Sequence, residues 1–153
     1  MIKHDKILVP SDFSDASEEA LRRAIKLAQV FNAEVHLLHV IEPLVPLLDM
    51  ESVPMLPDED LNQAIHDQSR LRLAKLQANA DYPLITHLHE SPGNAANFIC
   101  EFAGEQDIDL IVIGRQGSKG FLEHFLMGST AEQVVRYAPC SVLVSMPHGL
   151  LAD

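Results

Sequence analysis

The sequence has little of what several classes of binding protein require. Its 153 residues contain no tryptophan, two cysteines, and 11 lysines and arginines against 22 acids, a formal charge of −11. Neutralising nucleic-acid phosphates takes clustered cations, so this charge argues against a DNA or RNA partner. Cys100 and Cys140 lack CxxC spacing, and neither a run of 18 apolar residues nor a basic-then-apolar leader is visible. We therefore predict a cytoplasmic protein with reduced thiols and no membrane partner.

Apolar runs that alternate with helical patterns predict one α/β domain spanning residues 1–153. Apolar residues make up 47% of the chain, which suits a single core at this length. Runs rich in Val, Ile and Leu are typical of parallel strands covered on both faces, and they lie at 6–10, 34–40, 84–89, 109–113 and 141–145. Helices are expected between the first two strands and at roughly 58–80, 94–104 and 129–138.

The segments around the first helix carry further signals. Asp15, followed three residues later by Glu18, predicts the helix cap, while Arg22, Arg23 and Lys26 are expected on the solvent side. Residues 41–57 contain four prolines and are interpreted as a surface loop or lid, since proline interrupts helices and central strands.

This alternation predicts an open, Rossmann-like sheet of five parallel strands in the order 3-2-1-4-5, with helices on both faces. In such sheets ligands bind outside the carboxyl ends of the strands, where the strand order reverses. Here the reversal falls between the first and fourth strands, which end at Pro10-Ser11-Asp12 and Gly114-Arg115-Gln116-Gly117. The topology therefore predicts one pocket formed by two loops.

The residue types in these loops indicate the chemistry of that pocket. Gly114-Arg115-Gln116-Gly117 follows a buried strand, and Gly128-Ser129-Thr130 comes shortly before a helix. Glycine-rich loops expose main-chain N–H groups and a helix N-terminus carries partial positive charge, so the expected ligand group is a phosphate. The spacing to Lys119 does not match a Walker A loop, and a dinucleotide fingerprint is absent.

Over nearly its whole length the chain resembles the universal stress protein family, of the nucleotide-binding kind related to UspA. The residues that carry the resemblance are Ile7-Leu8-Val9-Pro10-Ser11-Asp12-Phe13-Ser14, His36-Leu37-Leu38-His39-Val40, Gly93-Asn94-Ala95-Ala96, Asp109-Leu110-Ile111-Val112-Ile113-Gly114, and the segment from Gly128-Ser129-Thr130 to Val144.

The resemblance implies an adenine nucleotide as ligand, AMP or ATP, with or without Mg²⁺. Asp12 and the main chain near Val40 would contact the adenine and ribose, and Pro10 and Ser11 would line the pocket. The expected phosphate residues are Gly114, Gly117, Gly128, Ser129 and Thr130, and the predicted set is completed by Ile113 and Arg115. It also implies a homodimer formed through the last strand, with Val142 and Val144 at the interface.

Two departures from the family pattern affect the outer phosphates. Ten residues, Ser118 to Met127, separate Gly117 from Gly128, where ATP-binding members usually have nine, and Ala131 stands where a hydroxyl residue is usual. The loss of one hydrogen bond to a charged phosphate costs about 1.5–3 kcal/mol. We therefore expect AMP to bind comparably to ATP, with Arg115 or Lys119 near the phosphates.

Binding without dedicated catalysis is the expected activity. His36 with His39 and His87 with His89 invite a metal interpretation, but three convergent ligands are needed, so no metal site is predicted. We expect a sensor or regulator of the stress response. The alternatives are slow ATP hydrolysis or self-phosphorylation on Ser118, Ser129 or Thr130, and a nucleotide-free dimeric interaction module.

Two arguments concern individual residues of the pocket. A buried carboxylate is costly without a partner, which favours a ligand role for Asp12 over a helix cap. At Gly114, a side chain is expected to occupy space that the ribose and first phosphate need, and to forbid a positive φ if the position uses one.

Overall fold

A computed structural model describes residues 4–42, 59–115 and 127–146. In chain order the elements are β1 (Lys6–Pro10), α1 (Asp15–Phe31), β2 (Glu34–Ile41), α2 (Glu59–Asn79), β3 (Leu84–Glu90), α3 (Ala95–Glu105), β4 (Leu110–Gly114), α4 (Ser129–Tyr137) and β5 (Ser141–Ser145). The predicted strand bounds are confirmed to within one residue at each end. Ile41 belongs to β2 rather than to the loop predicted from 41, and residues 43–57 of that loop lie outside the described residues.

The five strands form one parallel sheet in the order β3-β2-β1-β4-β5, as predicted. β1 is central, because Pro10 lies beside Leu38 of β2 on one side and Leu8 lies beside Ile111 of β4 on the other. The strand order therefore reverses between β1 and β4, and both strands end at the same edge of the sheet. We call this edge, where the strands end, the carboxyl edge.

The core consists of two apolar clusters, one on each face of the sheet. Alternate residues of each strand point to opposite faces, so Ile7 and Val9 pack under α1 and α2 while Leu8 packs under α3 and α4. α1 contributes the buried residues Ala20, Leu21, Ala24, Ile25 and Ala28, at the spacing expected of a helix face. Both faces are thus covered by helices, which is why the two central strands, β1 and β4, are mostly apolar and buried.

Two expectations about α1 are corrected. Its N-cap is Ser14, whose Oγ accepts a hydrogen bond from the N–H of Ser17 at 3.2 Å, and Asp15 is the first helical residue. Arg23 is not a solvated cation, because it reaches β5 and donates to Ser145 Oγ at 3.0 Å. Phe31 is largely exposed and contacts the ring of His4 edge-on rather than the core.

Candidate functional site

The carboxyl edge brings together the predicted loops after β1 and β4. Four residues, Ser11 to Ser14, connect β1 to α1, and Gly114 and Arg115 end β4 beside them in the sheet. The N-terminus of α4 joins this region, because the N–H of Gly128 donates to the carbonyl of Arg115 at 2.7 Å. Most of the predicted site residues that the structure describes therefore lie around one point, where the strand order reverses.

Ser11 is held by the protein through each of its polar groups. Its N–H donates to Leu38 O at 2.8 Å, and its carbonyl accepts from the Nδ1–H of His39 at 2.7 Å. Its buried hydroxyl accepts from the N–H of Phe13 at 3.1 Å and lies 3.2 Å from Ser17 Oγ. Since Ser17 Oγ itself donates to Ser14 O, the Ser11 hydroxyl donates to Ser17. Ser11 thus fixes the path of the loop.

Asp12 stands at the tip of the same loop and is exposed, so the argument from a buried carboxylate does not apply to it. Its Oδ1 accepts hydrogen bonds from both the N–H and the hydroxyl of Ser14, the N-cap of α1. The carboxylate therefore supports the helix start, in the manner of an Asx turn. It also lies at the opening of the cleft, where a ligand can reach it.

The apolar residues of the predicted site lie beneath the loops. Pro10 and Ile113 are buried, and Val40 is partly buried against the cluster under α3 and α4. Pro10 and Ile113 thus lie in the core directly before Ser11 and Gly114, the residues that follow them in sequence.

Gly114 is required by a close approach to α1. A Cβ at this position would lie 2.9 Å from the carbonyl carbon and oxygen of Ala16 and 3.1 Å from its Cβ. The φ of Gly114 is outside the positive range, so the conditional argument from positive φ does not apply. The glycine lets the end of β4 pack against the first turn of α1, which brings the two loops together.

Among the described residues, no side chain caps the N-terminus of α4. Gly128 is its N-cap and provides no side-chain hydrogen bond, whereas Ser14 caps α1 and Asn94 caps α3. The first-turn N–H groups of an α-helix have no intrahelical partner, and together with the helix dipole they attract anions. Ser129 is exposed and Thr130 partly exposed at this end, so both are accessible to a ligand.

Arg115 supplies the positive charge next to this helix end. Its main chain is fixed on both sides, since its N–H donates to Ser145 O at 3.1 Å and its carbonyl accepts from Gly128. In the described residues its side chain has one hydrogen-bond contact, from Nη1 to the Met146 sulfur at 3.9 Å. Among the described residues, no carboxylate pairs with this guanidinium. Gly117 and the other predicted loop residues, Ser118 and Lys119, lie outside the described residues.

The histidine pairs do not form a metal site. Within the residues that the structure describes, no group of three His, Cys, Asp or Glu side chains is placed to hold a metal ion. His36 Nδ1 lies 3.0 Å from His87 Nε2, and His36 also contacts Glu34 at 3.3 Å. His87 and His89 contact Phe98 and Phe102 of α3. His36 is buried, His87 partly buried and His89 exposed, so the cluster extends from the core to the surface.

The cysteines show no sign of a reactive thiolate. Burial raises the pKa of both thiols, and the charge of Glu101 near Cys100 and of Asp109 near Cys140 raises it further. Both side chains are partly buried. A raised pKa keeps a thiol protonated at neutral pH, which argues against nucleophilic chemistry there.

Sequence reasoning missed Phe13 of the β1–α1 loop and His39 of β2, whose ring contacts it. Phe13 has φ +64°, a left-handed conformation that costs a bulky residue roughly 1–3 kcal/mol. Its ring lies 4.3 Å from that of His39, centroid to centroid. His39 was considered only as a metal ligand with His36, yet its Nδ1 holds Ser11 instead. The alternation of β2 could have shown that His36 and His39 face opposite sides of the sheet.

A second cleft of about 760 Å³ lies between α1 and α2. It touches the β1–α1 loop through Phe13, and it is lined by apolar residues and by the cations Arg22, Lys26, Arg72 and Lys75. It is a separate depression on the face of the sheet, away from the α4 N-terminus.

An open doubly wound sheet, with an uncapped helix N-terminus and an arginine at its switch point, defines an α/β protein with a candidate anion-binding cleft. The model of the universal stress protein family matches residues 3–145. A universal stress protein of Methanocaldococcus jannaschii is 36% identical over 144 residues, covering 92% of this chain and 81% of that protein. The chain belongs to the universal stress protein family.

Solved structures show the same fold. UspA from Lactobacillus plantarum is 29% identical with a TM-score of 0.67, over 93% of this chain and 97% of that one. The universal stress protein from Archaeoglobus fulgidus, solved in complex with dAMP, is 24% identical with a TM-score of 0.60, over 94% and 98% of the two chains.

In the described part of this chain, no helix is long and apolar enough to cross a membrane.

Proposed function

We propose that this chain binds an adenine nucleotide, AMP or ATP, at the carboxyl edge between β1 and β4, and that it acts in the cytoplasm as a stress-response sensor or regulator. The N-terminus of α4, which no described side chain caps, lies beside Arg115, and this is the observation that carries the proposal. The N–H groups of a helix start and a guanidinium meet at the switch point, where an open α/β sheet binds its ligand. A family member that binds dAMP supports an adenine nucleotide as that ligand.

The two loops would bind different parts of the nucleotide. Asp12 and the main chain at Val40 are placed for the adenine and ribose, and Pro10 and Ile113 would line the cleft. The phosphates would accept hydrogen bonds from the main chain at the start of α4. The residues there are Gly128, Ser129 and Thr130, with Arg115 beside them. Ser11 and Gly114 shape the cleft, the first by its hydrogen bonds and the second by its contact with α1.

A magnesium ion would enter this site as a ligand of a di- or triphosphate. Mg²⁺ commonly keeps several waters and binds substrate phosphates, and since Asp12 is proposed for the adenosine part, the phosphates would supply the ligands to the ion. Because the described residues contain no metal cluster of their own, binding of AMP would not require the ion.

We expect AMP to bind within about tenfold of ATP. Ala131, which replaces a hydroxyl residue, is buried in the core under α4 and offers no side-chain donor. The loss of one such donor to a charged phosphate corresponds to roughly ten- to a hundredfold in affinity. Calorimetric titration of both nucleotides, with and without Mg²⁺, measures the ratio. ATP binding a hundredfold more tightly than AMP would contradict this account of the phosphate end.

Replacing Arg115 by glutamine tests the site itself. Among the described residues the side chain makes one weak contact, with Met146, so its loss should leave the fold intact. The loss of a charged hydrogen bond to phosphate, about 1.5–3 kcal/mol, should weaken AMP binding by roughly ten- to a hundredfold. The matched control is Arg136→Gln, which removes an exposed cation paired with Glu132 at the other end of α4. Equal affinities of the two variants would refute the proposed phosphate site.

We further propose that the protein forms a homodimer through β5. In the described part of the sheet β5 pairs only with β4, and an unpaired edge strand is a template for a second chain. Val142 and Val144 are partly buried against the protein's own core, so the predicted interface residues also serve the monomer fold. The pairing would therefore rest on the backbone of β5 and on its more exposed side chain, Leu143.

Leu143→Lys tests the dimer with little effect on the core, because 36% of this side chain is exposed. A lysine on the edge should give a monomer by light scattering. Ile85→Lys is the matched control, since Ile85 lies on β3, the opposite edge of the sheet, and is 43% exposed. A dimer that survives Leu143→Lys, or dissociates equally with Ile85→Lys, would overturn the β5 interface.

A further inference from the structure

Phe13 holds an unusual place in the loop between β1 and α1. The chain must leave the sheet at Pro10 and start a helix at Asp15, with four residues for the turn. Phe13 makes that turn with a φ of +64°, where glycine is favoured because its lack of a Cβ removes the steric cost. Two other non-glycine residues with positive φ, Asn32 and Asp107, belong to the types that tolerate this conformation.

The ring of Phe13 is held from two sides. It lies 4.3 Å from the imidazole of His39, at an interplanar angle of 35°, and the guanidinium of Arg72 lies 5.4 Å from its centroid. His39 is on β2 and Arg72 on α2, so the ring connects the loop to two further elements. Aromatic stacking and a cation over the ring face both favour this position. These contacts stabilise the strained conformation of the backbone.

The same imidazole also holds the neighbouring main chain. His39 Nδ1–H donates to Ser11 O, and the N–H of Phe13 donates to Ser11 Oγ. Asp12 therefore stands between two residues that are fixed, Ser11 by hydrogen bonds and Phe13 by its ring. The Asp12 carboxylate is held by Ser14, and its direction depends both on those hydrogen bonds and on how the two neighbours fix the main chain.

We propose that Phe13 is a positioning residue, which through its ring contacts with His39 and Arg72 holds Asp12 in the orientation that binds the adenosine part of the nucleotide. This inference rests on the proposed function and assigns a role within that site. A glycine would take the same φ without strain, so the phenylalanine is explained by what its ring fixes. Its removal should release the loop while relieving the backbone, and thus affect binding more than stability.

The experiment compares AMP affinity and thermal stability in the full chain. Phe13→Gly should weaken AMP binding at least about tenfold with little change in Tm, and should increase amide exchange at Asp12, Phe13 and Ser14. Phe13→Tyr keeps the ring and should restore affinity to within about threefold of the original. Asn32→Gly is the matched control, because it relieves a similar φ of +56° at the far end of α1 and should leave affinity unchanged.

A second variant covers the case in which Phe13→Gly does not fold. His39→Asn keeps an N–H donor for Ser11 O but removes the ring that stacks on Phe13, so it should weaken AMP binding several-fold while the loop stays in place. Unchanged affinity in a folded Phe13→Gly or His39→Asn protein would overturn the positioning role and leave the proposed function standing. If the unmodified protein fails to bind AMP or ATP, the proposed function falls and this inference falls with it.

Discussion

The helices α1 and α4 both begin at the carboxyl edge, but their N-termini are satisfied in opposite ways. At α1, Ser14 caps the helix, Asp12 supports Ser14, and Ser11 binds Ser17. At α4, Gly128 provides no side-chain cap, and the residues that follow are accessible. One helix start is completed by the protein's own side chains, and the other has no such cap among the described residues.

The difference indicates that the β1–α1 loop and the start of α4 have different roles. The β1–α1 loop is rigid because its polar groups bind one another, which suits a surface that positions a ligand. At the start of α4 the described residues provide no side-chain cap, and Arg115 lies beside it, which suits a group with strong negative charge. A nucleotide has both a neutral and a charged part, so a cleft with these two sides matches it.

Placing a carboxylate at the N-terminus of α4 should remove the difference between the two helix starts and have the largest effect on AMP binding. Ser129→Asp fills the α4 N-terminus with a charge that favours the helix by about 0.3–1 kcal/mol. The same charge repels phosphate, and two unit charges about 5 Å apart repel by about 3 kcal/mol at an effective dielectric constant of 20. Solvent screening reduces this at an exposed residue, so we expect at least about a tenfold loss of AMP affinity with equal or higher Tm.

The control for this variant is Asn97→Asp, an isosteric change that places the same charge in the first turn of α3, where Asn97 is exposed. It should have the same effect on stability and little effect on AMP. If Ser129→Asp binds AMP as tightly as the Asn97 variant, the α4 N-terminus is not the phosphate site.

Much of the fold follows from local patterns in the sequence. The apolar runs predicted the five strands to within a residue, and their alternation with helices predicted the strand order, because short right-handed crossovers leave few other topologies. The cap of α1 was placed one residue late, at Asp15, because Ser11-Asp12-Phe13-Ser14-Asp15 offers several residues that can cap a helix.

The details of the site depend on contacts between residues far apart in sequence. Ala16 excludes a side chain at Gly114 across 98 positions, and His39 reaches Ser11 across 28. A pattern of residue types shows that a glycine follows a strand, but it does not show which neighbour requires it. The exposure of Asp12 was missed for the same reason, since burial depends on how far the loop rises above the sheet.

Gly114→Ala tests whether the close approach between the end of β4 and α1 contributes to stability. The added Cβ would lie 2.9 Å from main-chain atoms of Ala16, so the helix must shift, and we expect a loss of about 1–3 kcal/mol in the free energy of unfolding. Gly104→Ala is the control, because a Cβ there meets only Pro139 Cγ at 3.9 Å. It should stabilise α3 by up to about 1 kcal/mol, as glycine is a poor helix former. Urea denaturation measures both, and equal stabilities would contradict the close approach.

Because Gly114 is tied to α1, a bulky substitution there does not isolate nucleotide binding. Gly114→Val is still expected to abolish nucleotide retention, but it would do so by displacing the helix that carries Ser14 and Ser17. Ser129→Asp and Arg115→Gln are therefore the cleaner tests of the ligand.

The smallest expected effect is on acid stability. Burial lowers the pKa of His39, which faces Asp12 and Arg72, and of His87, which faces His36 and His89 with Glu34 beyond. Below a pH of about 6.5, the pKa of histidine in the unfolded chain, the unfolded chain binds protons that the native protein does not yet bind. The contribution of these two histidines to the free energy of unfolding should be constant above about pH 7.5 and should fall as the pH drops through 6.5.

The double variant His39→Asn and His87→Gln should flatten this slope. Asparagine keeps the donor to Ser11 O in place of Nδ1, and glutamine reaches the position of Nε2 toward His36. Chemical denaturation between pH 5 and 8 measures the change. A slope that is as steep in the variant would mean that other groups control the acid response.

Titration of the isotope-labelled protein with AMP, followed by NMR at each backbone amide, tests the central claim most directly. The two-sided cleft predicts saturable shifts at Ser129, Thr130 and Arg115 on the phosphate side, and at Asp12 and Phe13 on the adenosine side. Adenosine alone should shift only the second group. No saturable shifts, or shifts confined to the cleft between α1 and α2, would contradict a nucleotide site at the carboxyl edge.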